Sequence, residues 1–341
     1  MTTWDIPHCN AAVIRHFTVQ SEILRSSDKA GFDHARPHVA YLPKEAIAGQ
    51  KLPTVYLLAS WTSAGRSMFQ WEAFREDLPT RLARLIATKV IPPCVVVCPD
   101  LYIDYGGSQY INSDYVGHHG DHIVKELIPY VENKLPVLSG ARHRGVLGRS
   151  SGGFGALRLA MDYDDAFAAV ACHAGDMGFE WVYRRSLIDI CTGLAKFQDP
   201  VMWMNELRKQ KKMSGFDTHV LMMIGMCAFY SPNPDSPSGF DLPVTLRNGE
   251  VIDSVWQRWK SHDPLELVDK PLVQERLGRL KSLFIDCGNR DQYFLQFGSR
   301  QMDAKLKKYG IKHDYFEFDD NHSGTAYRYD ESLPRLLNAL T

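Results

Sequence analysis

Short, nearly continuous apolar segments alternate with longer segments of helical periodicity along most of this 341-residue chain. Such apolar runs are typical of strands that helices cover on both faces, as in a parallel sheet. The alternation therefore predicts an α/β fold with a mostly parallel, doubly wound sheet, opened by an antiparallel pair of strands. Strands are predicted near residues 16–24, 38–42, 54–59, 94–98, 145–149, 167–173, 282–286 and 313–318. Helices are predicted near 71–89, 121–135, 152–161 and 297–308.

The alternation is interrupted between Asp176 and Pro271, where helical and turn-rich patterns replace the strands. Since the segments on both sides are needed to complete one sheet, we interpret residues 1–341 as a single domain with a cap-like insertion at 176–271. Methionine and aromatic positions in this insertion are interpreted first as its core and alternatively as the wall of an apolar pocket. They are Met202, Trp203, Met204, Met222, Met223, Met226, Phe229 and Tyr230.

The charge balance argues against two classes of partner. The chain has 39 Lys and Arg residues against 40 Asp and Glu, a net charge of −1, so it has no overall attraction to nucleic acid or to an anionic membrane surface. Its longest apolar run, 220–230, is too short to cross a bilayer. Seven cysteines without a CxxC pair and an N-terminus without a signal-peptide pattern predict a cytoplasmic protein. A mature chain that had lost its signal would have the same sequence, and the oligomeric state stays open.

Residues 148–152, Gly-Arg-Ser-Ser-Gly, are the one Gly-x-Ser-x-Gly motif of the chain. The motif follows the apolar segment 145–147 and precedes a helical segment at 152–157, which is the strand, turn and helix of a nucleophile elbow. We therefore predict Ser150 as a nucleophile. Ser151 is the weaker candidate because the residue two positions before it is Arg149, and an ordinary glycine-rich connection is the alternative interpretation.

A serine nucleophile needs a base, and the base needs an acid to orient it. Asp291 and His322 each follow a predicted strand, at the edge of the sheet where open α/β folds place their chemistry. Three competing residues fit less well. Asp286 is expected within its strand, His313 is at the start of one, and His173 is expected to be a pocket-lining or hydrogen-bonded core histidine.

The histidines of the segment 117–122, Gly-His-His-Gly-Asp-His, have the composition of a metal site. Two of them, His118 and His122, would share one face of a helix. Asp121 is explained without a metal, as the residue that caps a following helix. We predict no metal and no cofactor, and keep His118, His119 and His122 as the alternative.

Several motifs together resemble the esterase branch of the α/β-hydrolases, which includes esterase D (S-formylglutathione hydrolase), enterochelin-esterase-like proteins and the antigen 85 mycolyltransferases. The resemblance covers most of the chain from about Val39. Its motifs are at residues 41–43, 99–100, 126–130, 148–157, 286–291 and 319–322. It implies an α/β-hydrolase fold with Ser150 as nucleophile, Asp291 as acid and His322 as base. It also implies an oxyanion hole formed by the backbone N–H groups of Trp61 and Ser151.

The chain departs from esterase D at three positions. Arg149 and Ser151 replace a histidine and a methionine beside the serine, and Trp61 replaces a smaller residue. Backbone donors survive such changes, whereas the shape of the substrate pocket does not. The insertion resembles that of a bacterial enterochelin-esterase-like subgroup.

These observations predict a serine carboxylesterase that acts on a small-molecule ester and needs no cofactor. The alternatives are an acyltransferase with the same triad and a non-catalytic binding module on the same fold. Trp181 and Tyr183, early in the insertion, are predicted to line the entrance to the site. The sequence does not identify the ester, its acyl length or the pathway.

Overall fold

The computed structural model describes residues 12–341 and contains an eight-stranded sheet and a short two-stranded ribbon. In chain order the strands are β1 (Ala12–Gln20), β2 (Ala35–Pro43), β3 (Thr54–Leu58), β4 (Val95–Pro99), β5 (Asn112–Ser113), β6 (Gly117–His118), β7 (Arg144–Arg149), β8 (Ala169–His173), β9 (Ser282–Gly288) and β10 (Asp314–Phe318). The ribbon is formed by β5 and β6, and the other strands form the sheet in the order β1-β2-β4-β3-β7-β8-β9-β10.

Six neighbouring strands of the sheet are parallel to one another: β4, β3, β7, β8, β9 and β10. Strand β2 is antiparallel to both of its neighbours, β1 and β4. The predicted mostly parallel sheet with an antiparallel pair at its start is therefore confirmed. The carboxyl ends of β3, β7, β9 and β10 meet at one edge, so residues that follow these strands are brought together.

Helices connect most consecutive strands of the sheet, and α7 to α13 follow one another between β8 and β9. They are α1 (Glu22–Ser27), α2 (Lys44–Ile47), α3 (Leu78–Ala87), α4 (His119–Asp121), α5 (Ile128–Lys134), α6 (Ser151–Asp162), α7 (Phe179–Val182), α8 (Leu187–Leu194), α9 (Pro200–Lys209), α10 (Gly215–Tyr230), α11 (Asp253–Lys260), α12 (Pro264–Leu267), α13 (Pro271–Gly278), α14 (Leu295–Lys308) and α15 (Tyr329–Leu340). A π-helical turn at His122–Leu127 joins α4 to α5, and 3-10 turns lie at Gly65–Phe69, Ala141–His143, Arg184–Ser186 and Thr325–Arg328.

Helices cover both faces of the sheet, as predicted for a doubly wound fold. On one face, leucines of α3 and α15 pack against β3, β4, β7 and β9. On the other face, apolar side chains of α5, α6, α13 and α14 pack against the same strands. Strands β3, β4 and β8 are buried along their whole length, which explains why their sequences are apolar without alternation.

Helices α7 to α11 share a second apolar core with Phe154 of α6 and with the segment 103–116. The residues of the predicted insertion core lie largely in this cluster, although Met202 is 57% exposed. Tyr183, Trp256 and Trp259 are among its fully buried side chains. The helical segment is thus packed around its own core and is anchored to the helix that follows the elbow.

Two predicted elements have different boundaries in the structure. The helix predicted at 71–89 begins only at Leu78, because Asp77 caps it by accepting a hydrogen bond from the Thr80 N–H at 2.8 Å. The strand predicted at 16–24 ends at Gln20, because Ser21 caps α1 by accepting a bond from the Leu24 N–H at 3.0 Å. In both cases a local capping side chain determines where the helix starts.

The cysteines and the apolar helices are two further features of the described residues. The six cysteines within residues 12–341 are free and buried, and Cys9 lies outside the described residues. No helix in residues 12–341 is long and apolar enough to cross a membrane.

Candidate active site

Ser150 occupies the sharp turn between β7 and α6. Its backbone is left-handed, with φ 57° and ψ −128°, a conformation that costs a non-glycine residue about 1–3 kcal/mol. The turn is held by two backbone hydrogen bonds: Ser150 N–H donates to the His173 carbonyl, and Phe154 N–H donates to the Ser150 carbonyl, each at 2.9 Å. The predicted strand, strained turn and helix are all present.

The glycines on either side of Ser150 allow backbones to approach closely. A Cβ atom on Gly148 would overlap the backbone of Gly152, and a Cβ on Gly152 would overlap the carbonyl oxygen of Leu58 at the end of β3. The Gly-x-Ser-x-Gly spacing therefore has a steric cause here: it lets β3, β7 and α6 meet at the serine.

Asp291 and His322 form a buried hydrogen-bonded pair. Asp291 Oδ2 lies 2.7 Å from His322 Nδ1, and the two residues are 2% and 9% exposed. The other oxygen of the carboxylate, Oδ1, accepts a bond from the Tyr293 N–H at 2.8 Å. This arrangement fixes the imidazole ring and leaves Nε2 without a partner among residues 12–341, as a general base requires.

The loop that carries His322 is attached to the elbow by Arg149. Arg149 Nη1 donates to the backbone carbonyl of His322 at 2.7 Å. On the other side, His322 N–H donates to Gln292 Oε1 at 3.0 Å, and the Tyr293 ring packs edge-on against the imidazole with 4.9 Å between ring centres. These contacts place the Asp291–His322 pair next to the residue that precedes Ser150.

The structure joins two of the three predicted triad members by a hydrogen bond and places the third in the neighbouring turn. Ser150 Oγ forms no hydrogen bond with residues 12–341. Hydrogen bonds between catalytic groups are often long or unformed in a free enzyme and tighten when substrate binds.

The predicted oxyanion donor Trp61 lies in the loop after β3, and the other, Ser151, is the first residue of α6. Ser60 Oγ donates to the Arg149 carbonyl at 3.0 Å, which connects the loop after β3 to the elbow. The Trp61 indole is held in turn by a 2.9 Å bond from Nε1 to the Tyr105 carbonyl. Neither the Trp61 N–H nor the Ser151 N–H donates to a residue in the described part of the chain. Both amides are thus available to a ligand.

Two depressions flank this arrangement. A groove of about 550 Å³, lined by charged as well as apolar side chains and called the polar groove below, lies on the Trp61 side. Its lining residues are Ser60 to Ser63, Ser67, Met68, Gln70, Glu72, Phe74 to Leu78, Arg81, Arg149, Gly324, Ala326, Tyr327 and Tyr329. An apolar cleft of about 460 Å³ lies on the side of α7 and α14. It is lined by Glu180, Trp181, Arg184, Arg185, Phe294 and Phe297.

The two predicted substrate-binding residues have different environments. Trp181 is 50% exposed and lines the apolar cleft. Tyr183 is only 1% exposed, and its hydroxyl donates to the buried Asp176 Oδ2 at 2.8 Å. The prediction that Tyr183 lines the entrance is therefore wrong, because a polar hydroxyl with a buried partner turns this ring into the core.

Asp286, the competing acid, is indeed within β9 and pairs with His173 instead. Asp286 Oδ1 lies 2.7 Å from His173 Nδ1, and His173 Nε2 lies 2.8 Å from Ser332 Oγ. All three residues are at most 2% exposed. This second Ser-His-Asp arrangement is closed to substrate, so His173 is a hydrogen-bonded core histidine.

The histidines of the segment 117–122 have other partners. His119 Nε2 lies 2.9 Å from the Val116 carbonyl, and burial lowers the pKa of this ring to about 3. His122 Nδ1 lies 2.7 Å from Glu126 Oε2, and His118 is partly exposed. No group of three or more His, Cys, Asp and Glu within residues 12–341 is arranged to hold a metal ion.

Sequence reasoning missed three residues that contact His322. The sequence places Arg149 beside the nucleophile but does not predict its contact with His322, and it gives no role to Gln292 or Tyr293. The adjacency of Gln292 and Tyr293 to Asp291 is a sequence signal that could have identified them. Arg149 gives no such signal, because 173 positions separate it from the carbonyl that it binds.

The strand order, the elbow after β7 and the acid–histidine pair after β9 and β10 define an α/β-hydrolase. Solved structures show the same fold. A ferulic acid esterase is 18% identical and superposes with a TM-score of 0.62 over 96% of this chain and 99% of its own. The S-formylglutathione hydrolase of Agrobacterium tumefaciens is 16% identical, with a TM-score of 0.59 over 97% of this chain and 96% of its own. The fluorophosphonate-binding serine hydrolase F of Staphylococcus aureus is also 16% identical, with a TM-score of 0.59 over 97% and 99%.

The family described as "Putative esterase" matches residues 30–338, and the chain belongs to that family. It is therefore a hydrolase of the carboxylesterase type, with a small-molecule ester as substrate. No curated protein sequence matches the chain.

Proposed function

We propose that the chain is a serine carboxylesterase that works through Ser150, His322 and Asp291 and through an acyl-enzyme intermediate. The observation that carries this proposal is the 2.7 Å hydrogen bond between Asp291 and His322, held by Arg149 beside the left-handed Ser150. The family match supports the reaction type, and the geometry supports the assignment of these residues.

The reaction follows from the chemistry of these groups. His322 Nε2 takes the proton of Ser150 Oγ as the oxygen attacks the ester carbonyl, and Asp291 stabilises the imidazolium that forms. The Trp61 and Ser151 amides donate to the negative oxygen of the tetrahedral intermediate. His322 then protonates the leaving alcohol, which leaves an acyl group on Ser150. Water, deprotonated by the same histidine, releases the acid.

Covalent labelling by a fluorophosphonate, combined with an activity assay on an aryl ester, tests this proposal. A fluorophosphonate should modify one residue, and mass spectrometry should locate it on Ser150, with hydrolysis of an aryl acetate lost in proportion to labelling. Modification of Ser151 or of another residue would show that the nucleophile is assigned wrongly. Product analysis in the presence of an added alcohol separates hydrolysis from acyl transfer: an ester as the main product would make the chain an acyltransferase.

We further propose that residues 176–271 act as a cap that sets substrate choice. The segment starts just after His173, whose carbonyl accepts the Ser150 N–H. Its early residue Arg185 donates to the Gln292 carbonyl at 3.3 Å, and Gln292 in turn binds the backbone of His322. Trp181 lines the same apolar cleft as Arg185, and its exposed ring is free to contact an apolar substituent of the substrate.

Trp181→Ala should change the ranking of substrates more than the turnover of a small ester. Removing a large apolar ring should weaken binding by about 1–3 kcal/mol for the substituent that it contacts, and an aryl acetate has little such surface. The measurement is kcat/KM for a series of acyl lengths. Met202→Ala, an exposed apolar residue of the same segment that does not line the apolar cleft, is the matched control. An equal decrease for all esters would contradict the cap assignment.

A further inference from the structure

The charged residues that line the polar groove are almost all neutralised by one another. Arg75 Nη1 lies 2.7 Å from Glu72 Oε2. Arg81 pairs with Glu76 at 3.4 Å and with Asp330. Asp77, the fifth charged lining residue besides Arg149, caps α3. The groove therefore presents little net charge from these residues.

Arg149 is different from the other charges of the groove. No carboxylate of residues 12–341 lies within 4.0 Å of its guanidinium. One hydrogen bond, from Nη1 to the His322 carbonyl at 2.7 Å, is its only bond to the described part of the chain. A guanidinium has five N–H donors, so most of the donors of this partly buried cation have no protein acceptor.

Tyr329 adds a second unused donor to the residues that line the groove. Its ring is 4% exposed and lines the same groove, and its hydroxyl forms no hydrogen bond with residues 12–341. Burial raises the pKa of Tyr329, and the neighbouring Arg149 charge opposes that rise. The guanidinium and the tyrosine thus belong to the wall of one groove.

An anion bound in the groove would offer acceptors to donors that have none among residues 12–341. A partly desolvated cation without a counter-ion is unfavourable, and a planar carboxylate matches the guanidinium fork with two parallel hydrogen bonds. Ser60, Trp61 and Arg149 line the groove, and Arg149 directly precedes Ser150, so the groove adjoins the elbow.

We propose that the polar groove binds a carboxylate carried by the ester substrate, and that Arg149 recognises it together with the Tyr329 hydroxyl. The proposal deepens the esterase function proposed above and rests on it. Arg149 thereby has two contacts: it holds the His322 loop through one nitrogen and selects an acidic substrate through the others.

Matched pairs of esters test this assignment. In the first pair the acyl group carries the charge: a mono-aryl ester of adipic acid is compared with the corresponding terminal amide. In the second pair the leaving group carries it: 3-acetoxybenzoate is compared with 3-acetoxybenzamide. For each pair the readout is the ratio of kcat/KM for the carboxylate to kcat/KM for the amide. A displaced His322 would lower kcat/KM for both esters of a pair by the same factor, so this effect cancels in the ratio.

Arg149→Met should lower the ratio by about 10- to 100-fold for the pair whose charge enters the groove, because a hydrogen-bonded ion pair is lost. Tyr329→Phe should lower the same ratio by a few-fold, and it keeps the test valid if the Arg149 variant does not fold. Arg75→Met removes an equal charge from the same groove but one that Glu72 already neutralises. It should leave the ratio within about twofold, since surface ion pairs contribute little.

The outcomes separate this proposal from the proposed function. If both pairs keep the wild-type ratio in Arg149→Met and in Tyr329→Phe, Arg149 serves only the His322 loop and the proposal is overturned. A decrease of equal size in Arg75→Met would also overturn it, because general electrostatics would then explain the preference. Failure of the esterase function would be visible beforehand. Hydrolysis of the uncharged, amide-bearing esters would then be independent of Ser150.

Discussion

Ser150→Ala should lower kcat for an aryl acetate by about 10³-fold or more while the chain stays folded. The variant removes the atom that forms the acyl-enzyme, and the oxyanion donors alone supply only the residual rate. Because Ser150 Oγ forms no hydrogen bond with residues 12–341, its loss should change the free energy of unfolding by less than about 1 kcal/mol. Steady-state kinetics and thermal melting measure the two quantities.

Ser151→Ala is the control for this experiment. Its hydroxyl is removed, but the backbone N–H that we propose as an oxyanion donor is kept, so kcat should decrease by less than about tenfold. If Ser151→Ala proves more damaging than Ser150→Ala, the nucleophile is the neighbouring serine and the elbow has been misassigned.

The elbow could be predicted from the sequence because its determinants are local. Gly148, Ser150 and Gly152 lie within five residues, and the steric reason for both glycines is the approach of backbones next to them. The parallel strands were predictable for a similar reason: a segment buried on both faces has to be apolar throughout. The positions of Asp291 and His322 followed from the rule that chemistry gathers at the carboxyl ends of such strands.

The orientation of a side chain on a short helix was not predictable. The sequence places Trp181 and Tyr183 near the start of the helical segment that follows β8, and the structure agrees. Which of them faces solvent depends on Asp176, a buried carboxylate whose pKa desolvation raises and which accepts the Tyr183 hydroxyl. A partner of this kind is known only once the fold has placed it.

The choice between two acids shows the same limit. Sequence position favoured Asp291 over Asp286, yet the structure gives each carboxylate a histidine at 2.7 Å. The two carboxylates differ in the surroundings of their partner histidines and not in the length of the hydrogen bond. The Nε2 of His322 has no hydrogen-bond partner among residues 12–341, and Arg149 attaches the His322 loop to the elbow, whereas the Nε2 of His173 is bound to the buried Ser332.

Asp291→Asn should therefore lower kcat by about 10³- to 10⁴-fold with a modest effect on stability. An amide cannot stabilise the imidazolium, and its NH₂ group favours the wrong histidine tautomer. The Tyr293 N–H can still donate to the amide oxygen, so the free energy of unfolding should decrease by less than about 2 kcal/mol. Single-turnover kinetics with an aryl acetate and thermal melting give both values.

Asp286→Asn is the matched control, because it makes the same change in the other acid–histidine pair. Asp286 also binds Arg328 Nε at 2.9 Å, and both oxygens of this fully buried carboxylate are occupied. Removing its charge leaves Arg328 without its counter-ion, so we expect a loss of about 3 kcal/mol in stability. Turnover of the protein that remains folded should decrease far less than in Asp291→Asn. The opposite result would be a stable but inactive Asp286→Asn protein and an active Asp291→Asn protein. It would show that Asp286 is the catalytic acid.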